Sequence, residues 1–211
     1  MPDFIHKYVP SPNGSPWTLL LLHGTGGDER DLISLGTELG SGAALLSPRG
    51  KTLENGMPRF FRRLAMGVFD LEDLKFRTEE LADFITASAG RYGFDPGKVI
   101  ALGYSNGANI AASLLLRHPT ILAGAVLLRP MIPFVPEKQI ALDRIPIWIG
   151  GGRRDPIVPP DQTAALATML QNAGAHVDIH WSPNGHDLSQ EELLEAGRWI
   201  GKIAVVRPAG N

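Results

Sequence analysis

The stretch that most limits what this chain can fold into runs from Lys98 to Leu116, KVIALGYSNGANIAASLLL. Val99 to Leu102 is a short apolar run with a β-branched lead, the composition of a buried strand. Ala108 to Leu116, rich in Ala and Leu, continues as a helix. Gly103-Tyr104-Ser105-Asn106-Gly107 between them leaves no room for a loop, so strand must become helix in one sharp turn with Ser105 at its apex. Side chains at Gly103 and Gly107 would collide with the neighbouring strand and helix, and Ser105 is expected to hold a strained backbone conformation. A GxSxG pentapeptide in this setting presents a serine nucleophile at the carboxyl edge of a sheet. The amide N–H of Asn106, at the positive end of the helix, then faces the place where an oxyanion would form. The competing reading is a packing turn of small residues.

Such a unit needs a sheet around it, and the rest of the chain supplies the pieces. Trp17 to Leu22, Ala43 to Ser47, Ala123 to Leu128 and Pro146 to Ile149 read as buried strands, Phe4 to Val9 as an edge strand, and Ala175 to Trp181 as an alternating one. Helices are expected from about Glu29 to Leu39, capped by Asp28 and ended by Gly40, then from Glu72 to about Tyr92, through Ala164 to Leu170, and from Glu191 to Ile203. Strands alternating with helices imply an α/β fold, a mainly parallel central sheet with helices on both faces. A length of 211 residues suits one domain spanning the chain. Residues Pro48 to Leu71 have no clean period and read as a long loop. In it Arg59, Arg62 and Arg63 stand beside Phe60 and Phe61. They could wall a substrate cleft, or be a solvated basic surface with the aromatics turned into the core.

Several function classes are disfavoured. Twenty basic against 22 acidic residues give a formal net charge of -2, and the interspersed charges suggest neither a nucleic-acid surface nor an acidic tail. With no cysteine, disulfides, thiolate metal sites and a cysteine nucleophile are all ruled out; no metal and no cofactor are expected. The beginning of the sequence has no apolar signal segment, and no run approaches the ~18 apolar residues of a membrane span. A cytoplasmic protein is therefore expected. His23-Gly24-Thr25-Gly26-Gly27-Asp28 is rich in glycine, but it lacks both the Walker loop's Lys-Ser/Thr and the GxGxxG pattern, so it does not read as a nucleotide loop. Its small residues instead let the backbone approach Ser105, with the N–H of Thr25 as a second oxyanion donor and His23 and Gly24 beside the substrate. A plain tight turn is the alternative.

A serine hydroxyl needs a base, and the base an orienting acid. Of the six histidines, His186 lies in SPNGHD, after the last strand and before the last helix, where a side chain reaches the sheet's carboxyl edge. Asp155 follows the strand ending near Ile149, with Pro156 stiffening the loop. Asp161 reads instead as the N-cap of the next helix. The order Ser105, Asp155, His186 is that of α/β-hydrolases and differs from the two main serine-protease orders.

LLLLHGTGGDE, ALGYSNGANIA, GGRRDPIVPP and NGHDLS together resemble the phospholipase/carboxylesterase family of α/β-hydrolases. RFFRR…GVFDLEDL is similar to its bacterial, MhqD-like carboxylesterase branch and more distantly to dienelactone hydrolases, which carry cysteine where Ser105 stands. The resemblance covers nearly the whole chain. It implies nucleophile Ser105, acid Asp155, base His186, oxyanion amides from Thr25 and Asn106, no separate cap domain, and an open cleft for short-chain esters. The expected activity is hydrolysis of short- to medium-chain carboxylic esters through an acyl-enzyme. A lysophospholipase, thioesterase or acyltransferase on the same residues, and a non-catalytic binding scaffold, stay open. The expected partner is a small-molecule ester, and a homodimer is left open.

Overall fold

The computed structural model describes residues 4–206. Its elements follow in the order β1 (His6–Val9), β2 (Thr18–Leu22), α1 (Ile33–Leu39), β3 (Ala44–Pro48), β4 (Thr52–Glu54), β5 (Met57–Arg59), β6 (Arg63–Ala65), β7 (Val68–Phe69), α2 (Leu71–Tyr92), β8 (Val99–Tyr104), α3 (Asn106–Arg117), β9 (Gly124–Leu128), β10 (Pro146–Gly152), α4 (Pro160–Asn172), β11 (His176–Ser182) and α5 (Gln190–Val206). Seven strands form the central sheet in the order β1-β3-β2-β8-β9-β10-β11. Every neighbouring pair in it is parallel except the antiparallel edge pair β1 and β3.

The central strands are apolar throughout because both faces are covered, and the two-residue period sorts them between two cores. Leu20, Leu22, Leu46, Val99, Ala101, Ala125, Leu127, Ile147 and Ile149 pack with residues of α2, α3 and α4. Leu19, Leu21, Leu45, Ile100, Leu102, Val126, Leu128 and Trp148 face the other way, toward Leu39 of α1 and Ala196, Trp199 and Ile200 of α5. After β2 the chain moves outward to β3 and later returns to lay β8 on β2's other side. The crevice at the carboxyl ends of β2 and β8 is thus the switch point where ligands bind in open α/β sheets.

Three expectations need correction. The first helix begins at Ile33, with Leu32 at its N-cap position and no side-chain cap bond. Asp28 accepts instead from the Arg30 amide at 2.7 Å, a local turn that holds residues 28–32 out of the helix. Residues 48–71 are not a loop but two antiparallel hairpins, β4 with β5 and β6 with β7. Asn55-Gly56 turns the first and Gly67 the second, at φ of 52°, 80° and 72°, values that Asn and Gly tolerate best. In the helix α4, Pro159 holds the N-cap position and Asp161 lies in the first turn without a cap bond. Proline at the helix start already needs no N–H partner, so Asp161 is not the cap.

Candidate active site

Ser105 follows β8 and stands at the N-cap of α3 with φ 53° and ψ -112°, a positive-φ conformation that costs a non-glycine residue about 1–3 kcal/mol. Its neighbours hold it there. The Ser105 amide donates to the Leu128 carbonyl at 2.8 Å. A Cβ on Gly103 would stand 2.6 Å from the Gly107 carbonyl oxygen, and one on Gly107 would run into that of Leu22. Both glycines are therefore required by close backbone approach.

Asp155 and His186 come from loops after β10 and β11, 31 residues apart, and meet beside this turn. His186 Nδ1 donates to Asp155 Oδ2 at 2.8 Å, and His186 Nε2 lies 3.0 Å from Ser105 Oγ. Asp155 Oδ1 accepts from the amides of Ile157 and Val158 at 2.8 and 3.0 Å, so the carboxylate's second oxygen is left to aim at the imidazole. With the proton on Nδ1, Nε2 is free to accept from the serine, the geometry of a nucleophile, a base and an orienting acid. Asp161 plays no part in this chain of bonds.

Thr25 and Asn106 both line a cavity of about 40 Å³ beside Ser105. Residues 58–60 of the first hairpin grip both. Gly26 N donates to Pro58 O at 2.9 Å, Arg59 Nη1 to Thr25 Oγ1 at 2.6 Å, and Phe60 N to Asn106 Oδ1 at 2.7 Å. The second hairpin adds Arg63, Met66, Gly67 and Phe69 to the lining of the cavity.

The candidate substrate-binding residues divide. Arg59 and Arg63 line the cavity, with Glu54 between them, 3.2 and 2.7 Å away. Burial, and then the charge of Arg63, lower the Arg59 pKa against the opposing charge of Glu54. Arg62 does not reach the cavity; its side chain is 62% exposed and paired with Asp70. Phe60 and Phe61 are core residues, Phe60 packed on the His23 ring and Phe61 on the Phe69 ring. His23 is also structural. It is 1% exposed, takes the Gly50 amide on Nε2 at 2.9 Å, and bonds the Gly24 carbonyl through Nδ1 at 2.7 Å. Burial, outweighing the Gly24 carbonyl and Asp31, lowers its pKa. Gly24 is packed by the Tyr104 ring, which would be 2.9 Å from a Cβ there.

One charged group escaped the sequence reading. Arg129, just past β9, is wholly buried and paired with the equally buried Glu192 of α5. The signal was present as a lone arginine at the end of an apolar run, VLLRP, but its acidic partner is 63 residues away.

Among the described residues no helix is long and apolar enough to cross a membrane. Residues 9–204 match the family model for phospholipases and carboxylesterases. The hydrolase MhqD of Bacillus subtilis (strain 168) is 47% identical over 200 residues, 95% of this chain and 100% of its own. The crystal structure of a Bacillus cereus carboxylesterase superposes with a TM-score of 0.92 at 46% identity, covering 95% of this chain and 94% of that one. A carboxylesterase from Mesorhizobium loti gives a TM-score of 0.88 at 32% identity, with 94% of each chain covered.

Proposed function

Because the chain belongs to the phospholipase/carboxylesterase family, we propose that it is a serine carboxylesterase acting on short- to medium-chain esters through an acyl-enzyme. The observation that carries this reading is the unbroken run from Asp155 through His186 to Ser105, with contacts of 2.8 and 3.0 Å. His186 Nε2 takes the Ser105 proton as Oγ attacks the ester carbonyl. The amides of Thr25 and Asn106 stabilise the oxyanion while Asp155 stabilises the imidazolium. His186 then returns its proton to the departing alkoxide, leaving the acyl group on Ser105. Water, deprotonated by the same imidazole, releases a carboxylic acid and regenerates the serine.

Substrate size and charge follow from the cavity wall. A volume of about 40 Å³ accommodates only a few waters, at ~10–15 Å³ for each, so it does not enclose a long acyl chain beside Ser105. Two guanidiniums, Arg59 and Arg63, share one carboxylate, Glu54, which leaves a single positive charge in excess and favours esters carrying an anionic group. A serine-directed fluorophosphonate should label Ser105 in the folded protein, and Ser105→Ala should lower turnover of a small activated ester by roughly four to six orders of magnitude. Near wild-type turnover by that variant would remove Ser105 from the mechanism.

A further inference from the structure

His186 must keep one ring nitrogen on Asp155 and the other on Ser105, yet it sits in a loop of Ser, Asn, Gly and Asp residues that has no regular structure of its own. The backbone around it is held from outside. Arg129 Nε donates to the Gly185 carbonyl at 2.9 Å and Nη2 to the Asp187 carbonyl at 2.7 Å. Tyr104 Oη donates to the carbonyl of His186 itself at 3.2 Å. Three consecutive carbonyls of the base-bearing loop are therefore taken, two of them by one side chain.

The rest of that guanidinium is fully used as well. Nη1 donates to the Gly150 carbonyl at 3.1 Å and to Glu192 Oε1, and Nη2 donates to Glu192 Oε2 at 2.8 Å. Five N–H groups meet five acceptors, the whole capacity of an arginine and two more than a lysine could offer. Arg129 is held at φ 55°, so its backbone carries strain to aim the side chain. Space is also reserved for the counter-ion, since a Cβ on Gly150 would collide with Glu192 Oε1. A buried, fully bonded ion pair is a poor source of stability compared with apolar packing, because desolvation offsets the attraction. What it supplies here is direction.

We infer that Arg129, neutralised by Glu192, is the positioning residue that clamps the backbone on both sides of His186 and so sets the imidazole between Asp155 and Ser105. It touches no reacting atom. Its Nε lies 4.0 Å from Asp155 Oδ2, so its charge is near that carboxylate without a hydrogen bond to it. The inference rests on His186 being the base of the reaction proposed above.

Removing Arg129 alone would strand Glu192 as a buried charge and could unfold the protein, so the informative variant is the double change Arg129→Met with Glu192→Leu, which removes both charges at similar volume. It should fold, melt below the wild-type temperature because three backbone carbonyls lose their arginine donor, and show kcat on a small neutral ester lowered about a hundredfold with KM little changed, the signature of a displaced catalytic group. Arg129→Lys, two donors short, should not restore kcat. Proton NMR reads the clamp without any turnover: the downfield resonance of the His186 Nδ1 proton shared with Asp155 should disappear or broaden in the double variant. A folded double variant with wild-type kcat and an intact resonance overturns the inference. If the wild-type protein hydrolyses no ester, the esterase reading fails, and the resonance alone still decides whether Arg129 orders His186.

Discussion

On one side of Ser105, the loop carrying Thr25 is fastened by a backbone bond from Gly26 to Pro58 and by Arg59 on Thr25 Oγ1. On the other side, the loop carrying His186 is fastened by Arg129 and Glu192, both 0% exposed. In the proposed reaction each flank holds backbone groups in place; Thr25 and Arg59 line the cavity beside Ser105, and no residue of the His186 loop does. The cation there, Arg59, is also buried but lines the cavity, and its ties are fewer: Phe61 O, Thr25 Oγ1 and Glu54. Arg129, on the flank away from the cavity, is bonded at every donor. Both arginines are buried, so the two flanks differ in how many donors are already used: Arg129 has none left for a ligand, whereas Arg59 borders the cavity with fewer ties.

The comparison breaks most visibly at the base flank. Asp155→Asn keeps the shape of the side chain but favours the wrong imidazole tautomer, and kcat on a small ester should fall about 10⁴-fold. Asp161→Ala is the matched control. Because Asp161 makes no cap bond, turnover should be unchanged and stability within about 0.5 kcal/mol of wild type by denaturant titration. A large activity loss for Asp161→Ala, with little for Asp155→Asn, would move the acid and dissolve the distinction between the flanks.

Legibility in the sequence follows the same division. The strands β2, β8 and β9 could be read because two-sided burial writes continuous apolar runs, and the elbow because glycine is needed where backbones meet. Ser105, Asp155 and His186 lie at the ends of such strands, so their order in the chain maps onto one sheet edge. The hairpins of residues 48–71 were missed because strands of two or three residues are too short to show a period. Arg59, Arg62 and Arg63 looked alike for that reason, although one is buried on the cavity, one solvated and one between. The role of Glu192 was invisible because a glutamate in the first turn of α5 reads as ordinary helix chemistry until β9 brings Arg129 beneath it.

At the oxyanion flank the expected losses are smaller and depend on the substrate. Arg59→Met removes the bond to Thr25 and one of the two cations, while Pro58 and Phe60 keep their backbone ties to Gly26 and Asn106. One lost charge-assisted hydrogen bond amounts to about 1.5–3 kcal/mol, so kcat/KM should drop about ten- to hundredfold for an ester bearing a carboxylate. A neutral ester of the same length should lose clearly less. Equal losses for the charged and neutral partners, measured side by side, would leave Arg59 as a brace for Thr25 with no part in recognising charge.

The smallest effect expected is one of pH, and it separates the flanks without touching either set of reacting groups. His23 ties the Gly24 carbonyl to the Gly50 amide, and it must be neutral at Nε2 to accept that amide. Burial lowers its folded pKa below the ordinary value of 6.5. Above pH 6.5 the imidazole is neutral in both the folded and the unfolded chain and contributes nothing to the slope. As the pH falls below that, the unfolded chain takes up the proton first, so stability declines until the folded pKa is passed. This tie belongs to the loop that carries Thr25, not to the loop that carries His186. His23→Gln should therefore be less stable than wild type at pH 8, yet lose less Tm between pH 7.5 and 5. Melting curves of the two proteins that run parallel across that window would show that His23 is not a titrating tie in the oxyanion loop.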